Sequence, residues 1–246
     1  MPDRKENLLL AELSRTERRR LEAYLQPVEV SLGEVLIKQN EEIKYMFFPY
    51  DSVTSTLMGL SDGSSIETGL MGIEGVVGIQ FWLGVNSTPT ETIVQVAGKG
   101  HLMTTRDFKR HVMNGRSSQL DSLVGRYTHA FLAMTSLVAA CNRLHTLDQR
   151  MCRWLKLVHN RIRREDFYMR QEFMAQMLGV QRPTVSTTAN MLQKAGLITY
   201  SRGQMKILDP QGLEAGSCEC LELMERQFDR IFNHTWRKSS TGNAKK

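Results

Sequence analysis

One arginine and a run of small hydroxyl and amide side chains carry the clearest chemistry in this chain. Arg182, Thr184, Ser186, Thr187 and Asn190 share one stretch, while Val185, Ala189 and Leu192 recur at helical spacing between them. A guanidinium forks onto guanine O6 and N7, and hydroxyls and amides reach base edges or phosphates. Pro183 suits the first turn of such a helix, because its missing N–H and fixed φ cost little there. Just upstream, Phe173, Met177 and Leu178 give a shorter helix an apolar face, and Gly179 is placed to end it. Two short helices around a tight turn, the second opening on an arginine and small polar residues, fit a DNA major groove. Leu197–Tyr200 and Met205–Leu208, around Arg202–Gly203, read as the strands of a wing.

Charge agrees with this reading. Residues 1–147 carry a net −1, residues 148–213 a net +6 and residues 214–246 a net +1. The positive surplus therefore lies on the segment with the two helices, as a phosphate-binding module requires.

The rest of the chain must position that segment. A length of 246 residues allows two domains with separate cores, and 41% hydrophobic with 24% charged residues is ordinary for a soluble protein. No apolar run approaches the roughly 18–20 residues that span a bilayer. The opening MPDRKENLLLAELSRTERRR is too charged for a secretory leader and reads as a helix with Leu8, Leu9, Ala11 and Leu13 on its apolar side. A cytoplasmic protein without a membrane partner is expected. Cys141 and Cys152 fall in helical patterns and read as buried thiols. Cys218 and Cys220 form a C-x-C with no partner pair evident in the sequence, so no metal site is expected.

Residues 28–106 change character. The runs 28–37, 45–50, 52–60, 64–72, 75–84 and 92–105 have β-type composition and are separated by turn signals, with Asp62–Gly63 a hairpin marker. An antiparallel roll, barrel or sandwich follows, of a size that fills its interior or holds one small ligand. The period then switches. Leu120, Val124, Tyr127, Phe131, Met134, Val138, Cys141 and His145 are spaced 4-3-4-3-4-3-4, the seam of one long helix from about Ser117 to Leu144. A second row holds Leu123, Ala130, Leu137 and Leu144. The seam from Leu120 to Cys141 is expected to form a parallel dimer interface, since readers of two-fold DNA sites need a two-fold partner. Another amphipathic helix is expected over 148–168 and a last one over 217–232, before a disordered SSTGNAKK tail.

A β-roll, a long heptad helix and a winged helix–turn–helix in this order resemble the Crp/Fnr family of bacterial transcription regulators. The resemblance spans nearly the whole chain and is strongest in RQEFMAQMLGVQRPTVSTTANMLQKAGLI; GEVLIKQNEEIKYMFF is similar to the family's first roll strands. It implies an α+β protein with an antiparallel, jelly-roll-like β-roll sensor (1–116), a dimerisation helix (117–147), a winged helix–turn–helix (148–213), and a C-terminal helix with its tail (214–246). The family's recognition helix opens Arg-Glu-Thr-Val-x-Arg, where this chain has Arg182-Pro183-Thr184-Val185-Ser186-Thr187. The first arginine matches; the glutamate and second arginine are replaced, so base preference should differ. Arg170, Gln171 and Thr184 match positions that meet phosphate. With Gln181, Arg182, Ser186, Thr187, Asn190 and Arg202 they make up the candidate DNA-binding set.

The effector pocket departs from the pattern. Family members that bind cyclic nucleotides use a glutamate for the ribose and an arginine for the phosphate. The corresponding segments here are Gly78-Ile79-Gln80 and Thr90-Glu91, with Tyr127 the candidate from the long helix. An isoleucine accepts no hydrogen bond and a glutamate repels phosphate, so ordinary cyclic AMP binding is not expected. No N-terminal cysteine cluster exists for an iron–sulfur sensor, and His101 and His111 are the open haem-ligand candidates. The cofactor is left unassigned. The expected function is a homodimeric, sequence-specific transcription regulator on a palindromic operator, with RNA polymerase a further implied partner. The alternative is a ligand-sensing or protein-interaction module whose winged helix does not read DNA. No Gly-rich phosphate loop, zinc signature or nucleophile elbow points to an enzyme.

Overall fold

The computed structural model describes residues 6–114, 119–162 and 164–232; the expected tail falls outside them. Two short helices, α1 (Leu8–Ala11) and α2 (Arg15–Glu22), stand where one was expected. The break has a local cause: the Ser14 side chain accepts the Glu17 N–H, capping a new helix start. Asn7 caps α1 through Oδ1, while its Nδ2 donates to the carbonyls of Pro49 and Gly75 at 2.9 and 2.7 Å, pinning α1 to the roll.

The roll consists of β1 (Gln26–Val30), β2 (Val35–Ile37), β3 (Tyr45–Pro49), β4 (Val53–Gly59), β5 (Ser65–Met71), β6 (Glu91–Val96) and β7 (Gly98–Thr104). Its two antiparallel sheets run β1-β7-β3 and β2-β6-β4-β5. Gly63, at φ +82°, turns the β4–β5 hairpin. Two expectations are corrected. The run 75–84 is no strand: Gly78 adopts φ +97° and starts the short helix α3 (Ile79–Trp82). The run 92–105 is split between the sheets as β6 and β7.

After α4 (Thr105–Phe108) and a π-helical turn at Lys109–Met113 comes the long helix α5 (Gln119–Leu144). Buried Glu17 accepts the N–H groups of Gln119 and Leu120, satisfying the exposed donors of its first turn. Then follow α6 (Leu147–Arg161), β8 (Asp166–Tyr168), α7 (Gln171–Leu178), α8 (Arg182–Lys194), β9 (Ile198–Ser201), β10 (Gln204–Ile207), α9 (Pro210–Ala215) and α10 (Cys220–Phe232). The helix expected to reach residue 168 stops at Arg161, and residues 166–168 join the wing sheet β8-β10-β9 instead. The last helix expected over 217–232 is α10, and α9, capped by Asp209, is an additional short helix before it.

The principal correction concerns the heptad seam. Leu120, Val124, Tyr127, Phe131, Met134, Val138 and Cys141 are all buried within the single chain. The helix α10 packs along α5, and its Leu221, Met224, Phe228 and Ile231 repeat at matching spacing; β5 covers a further part of the same row. A 4-3 repeat encodes packing against another helix, and here that helix is the chain's own. The outward row of α5 is a different one: Arg126, His129, Leu132, Ser136, Ala140 and Leu144.

Candidate nucleic-acid interface

Local chemistry sets the helix pair. Gly179 ends α7 at φ +63°, and Pro183 sits in the first turn of α8 after the N-cap Gln181. Val185, Ala189 and Leu192 are buried. The opposite face leaves Gln181, Arg182, Thr184, Thr187 and Asn190 exposed, with Ser186 partly so. Between β9 and β10, Arg202 and Gly203 both take positive φ, +50° and +85°, making a two-residue hairpin turn that lifts Arg202 into solvent.

Three arginines meet at the junction of helix pair and wing. A concavity of about 370 Å³ is lined by Tyr168, Arg170, Gln171, Glu172, Arg182, Tyr200, Arg202 and Gly203. Arg182 Nη1 lies 3.0 Å from Glu172 Oε1, with both side chains more than half exposed. Gln171 Oε1 accepts from Ser186 Oγ at 2.6 Å and from Arg182 Nε at 3.5 Å, so one amide holds two candidate readers. The Arg170 guanidinium lies over the Tyr168 ring, 5.9 Å from its centroid, and donates to the phenol oxygen. Tyr200 donates to the Met169 carbonyl at 2.8 Å, tying wing to helix pair. The expected residues are thus brought to one face. Glu172, Tyr168 and Tyr200 were missed; Glu172 lies in the first turn of α7, beside the expected Gln171.

This face adjoins the roll. Gln176 of α7 donates to the Ser65 hydroxyl, and Ile66 comes so close to Gly179 that a Cβ there would lie 2.8 Å from its Cδ1. A cleft of about 780 Å³ runs between the β4–β5 hairpin and the turn that leads into Arg182. Deeper in, Glu67 Oε2 accepts from Ser55 Oγ at 2.5 Å, Gln95 Nε2 at 2.8 Å and Trp154 Nε1 at 3.3 Å. Burial pushes the Glu67 carboxyl above the usual range, against the pull of these donors and of Arg153. A second tie is the fully buried pair Arg161–Glu74, with Nη2 2.8 Å from Oε1. Burial likewise raises Glu74, opposed by the Arg161 charge.

The candidate effector residues sit in separate places. Gly78–Gln80 lie against β3, where a Cβ on Gly78 would meet Met46 and the Tyr45 carbonyl at 3.0 Å, and Ile79 is core. Thr90 bonds Thr88, and Glu91 opens β6 opposite Leu57 of the neighbouring strand β4. Tyr127 is fully buried between Phe131 and Phe228, against Gly75. It packs the core beneath α10 rather than facing an open pocket. Of the two histidines, His111 stacks on Tyr24 with ring centroids 4.0 Å apart, a packing role; His101 lies on β7.

Residues 149–215 match the Crp-like helix–turn–helix domain. No curated protein matches the chain in sequence. Among solved structures, FixK2 of Bradyrhizobium japonicum superposes with a TM-score of 0.65 at 15% identity, over 79% of this chain and 98% of that one. A regulator of the Crp/Fnr family from Eubacterium rectale gives 0.62 at 16% identity, over 84% and 96%. A CRP-family regulator from Thermus thermophilus gives 0.60 at 17%, over 77% and 96%. Among the described residues, no helix is long and apolar enough to cross a membrane.

Proposed function

From the premise that this chain has the Crp/Fnr regulator fold and carries a Crp-like helix–turn–helix domain, we propose that it is a homodimeric, sequence-specific DNA-binding transcription regulator. The observation that carries this reading is the convergence of Arg170, Arg182 and Arg202 on one concavity beside the first turn of α8. Arg182 supplies the fork for a guanine edge, and Arg170 and Arg202 supply phosphate charge.

The second copy joins along the outward row of α5, around Leu132, Ser136, Ala140 and Leu144, of which Leu132 is 55% and Leu144 73% exposed. That row replaces the buried heptad seam as the two-fold contact and sets two recognition helices about one DNA turn apart, roughly 34 Å. The effector is not a cyclic nucleotide held in the usual manner. Ile79 is core, and the resemblance aligns Glu91, an acid, with the position where a cation would be needed.

The test is binding to duplexes selected from a randomised pool, measured across salt. Tight binding to a two-fold motif, with affinity falling steeply as salt rises, is expected. Binding to protein or small molecules with no duplex affinity would favour a non-reading module.

A further inference from the structure

Cys141 and His145 stand one helical turn apart at the end of α5. Cys218 and Cys220 flank Glu219 at the approach to α10. The fold brings the two pairs to one point, with all four donor atoms within 4.8 Å of one another. Cys141 Sγ is 3.4 Å from Cys218 Sγ, and His145 Nδ1 is 3.7 Å from Cys220 Sγ. Bonds of about 2.3 Å to sulfur and about 2.0 Å to nitrogen require tetrahedral edges of about 3.5–3.8 Å. The two short spacings already match, and the widest must close by about 1 Å.

We propose that Cys141, His145, Cys218 and Cys220 form a tetrahedral Cys3His site for a thiophilic divalent cation, zinc, which clamps the DNA-binding domain to the long helix. The arrangement around the four donors supports an ion. His145 Nε2 lies 3.1 Å from Glu219 Oε2, so the carboxylate takes the second ring N–H and leaves Nδ1 facing the thiols. A carboxylate behind a ligating histidine orients the ring and raises its basicity. Three thiolates around a divalent ion leave one net negative charge, and Arg150 and Arg153 are the cations that act on these sulfurs. The Nε groups of both are buried and have no hydrogen-bond partner among the described residues. Loading releases three thiol protons to solvent and transfers no electrons. Four donors so close together suit one ion; a polynuclear cluster would place its thiolates on separate metal atoms.

The position gives the site its role. The ligand pairs bracket residues 146–217, which contain the whole Crp-like domain. One ion therefore closes both ends of that domain onto the end of α5, at the hinge where α5 gives way to α6. The sequence hid this because the C-x-C and the C-x-x-x-H lie far apart in the chain.

The test uses the full chain, reduced and stripped with chelator, then titrated with Co2+ and afterwards Zn2+. One equivalent of cobalt per chain should give tetrahedral d–d bands and thiolate charge transfer, both abolished as zinc displaces it, with a rise in Tm. Cys220→Ser should lower zinc affinity at least tenfold and cancel most of the rise. Glu219→Gln, an exposed change that leaves the fold intact, should lower affinity about tenfold. An octahedral cobalt spectrum, or zinc affinity unchanged in both variants, would overturn the site. So would a Cys141–Cys218 disulfide in protein isolated under reducing conditions.

Discussion

Glu172 of α7 holds Arg182 of α8, Oε1 to Nη1 at 3.0 Å, so the proposed base reader rests on an acid of the neighbouring helix. Both side chains are exposed, and such a pair contributes about 0.2–1 kcal/mol, less than a bidentate arginine–guanine contact of about 1–3 kcal/mol. A guanine edge therefore displaces the glutamate. Glu172→Gln should tighten duplex binding a few-fold at low salt, through release of Arg182 and loss of one negative charge. Fluorescence anisotropy on a fixed duplex checks this, and unchanged or weaker binding would show that Glu172 orients Arg182 usefully.

Phe131 and Met134 lie beneath β5 and α10, not at a surface. The Phe131 ring sits where a Cβ on Gly69 would be, at 2.5 Å. Phe131→Asp should therefore unfold the chain rather than split a dimer, since it buries an unpaired charge. Leu132→Glu, one residue along and facing solvent, should give a folded monomer. Light scattering with circular dichroism separates the two; a folded Phe131→Asp monomer would restore the buried row as the two-fold contact.

Glu67 makes the roll–domain contact pH-dependent. Its carboxyl is raised in the folded protein, so the folded state binds a proton more readily than the unfolded one. The stability this confers is greatest below the unfolded value near 4.5 and is lost as pH rises through the higher folded value. Glu67→Gln keeps an acceptor for Ser55 and Trp154 and removes the buried charge. It should flatten the decline of Tm above pH 4.5 and leave the protein no less stable at pH 7. A steeper decline would mean that Glu67 is held as a carboxylate by Arg153.

Glu74→Ala should cost about 3–5 kcal/mol, because it leaves the Arg161 guanidinium buried without its carboxylate. Urea denaturation measures this, and a loss below about 1 kcal/mol would show that water reaches Arg161.

The helix–turn–helix was legible in the sequence because its signals are local: Gly179 and Pro183 punctuate, and Val185, Ala189 and Leu192 keep a helical period. The roll strands were legible for the same reason, except at 75–84, where Val76, Val77 and Ile79 read as strand but Gly78 turns the chain into α3, and at 92–105, which is two strands in different sheets. What the sequence could not supply was the identity of partners. A heptad row states that α5 packs on a helix and is silent on whether that helix is α10 or a second copy. Likewise the burial of Glu67 and Glu74 depends on Trp154 and Arg161, which lie far away in the chain.

Base reading by Arg182 is the central requirement of the proposed function. Selection from randomised duplexes with wild type and Arg182→Ala tests this most directly, with Arg170→Ala as the phosphate control. The predicted result is one position per half-site losing its preference in Arg182→Ala, at a cost of about 1–3 kcal/mol on the wild-type motif. Arg170→Ala should weaken all sequences alike and reduce the salt slope by about one. An unchanged motif and affinity in Arg182→Ala would contradict the assignment of α8 as the recognition helix in this register.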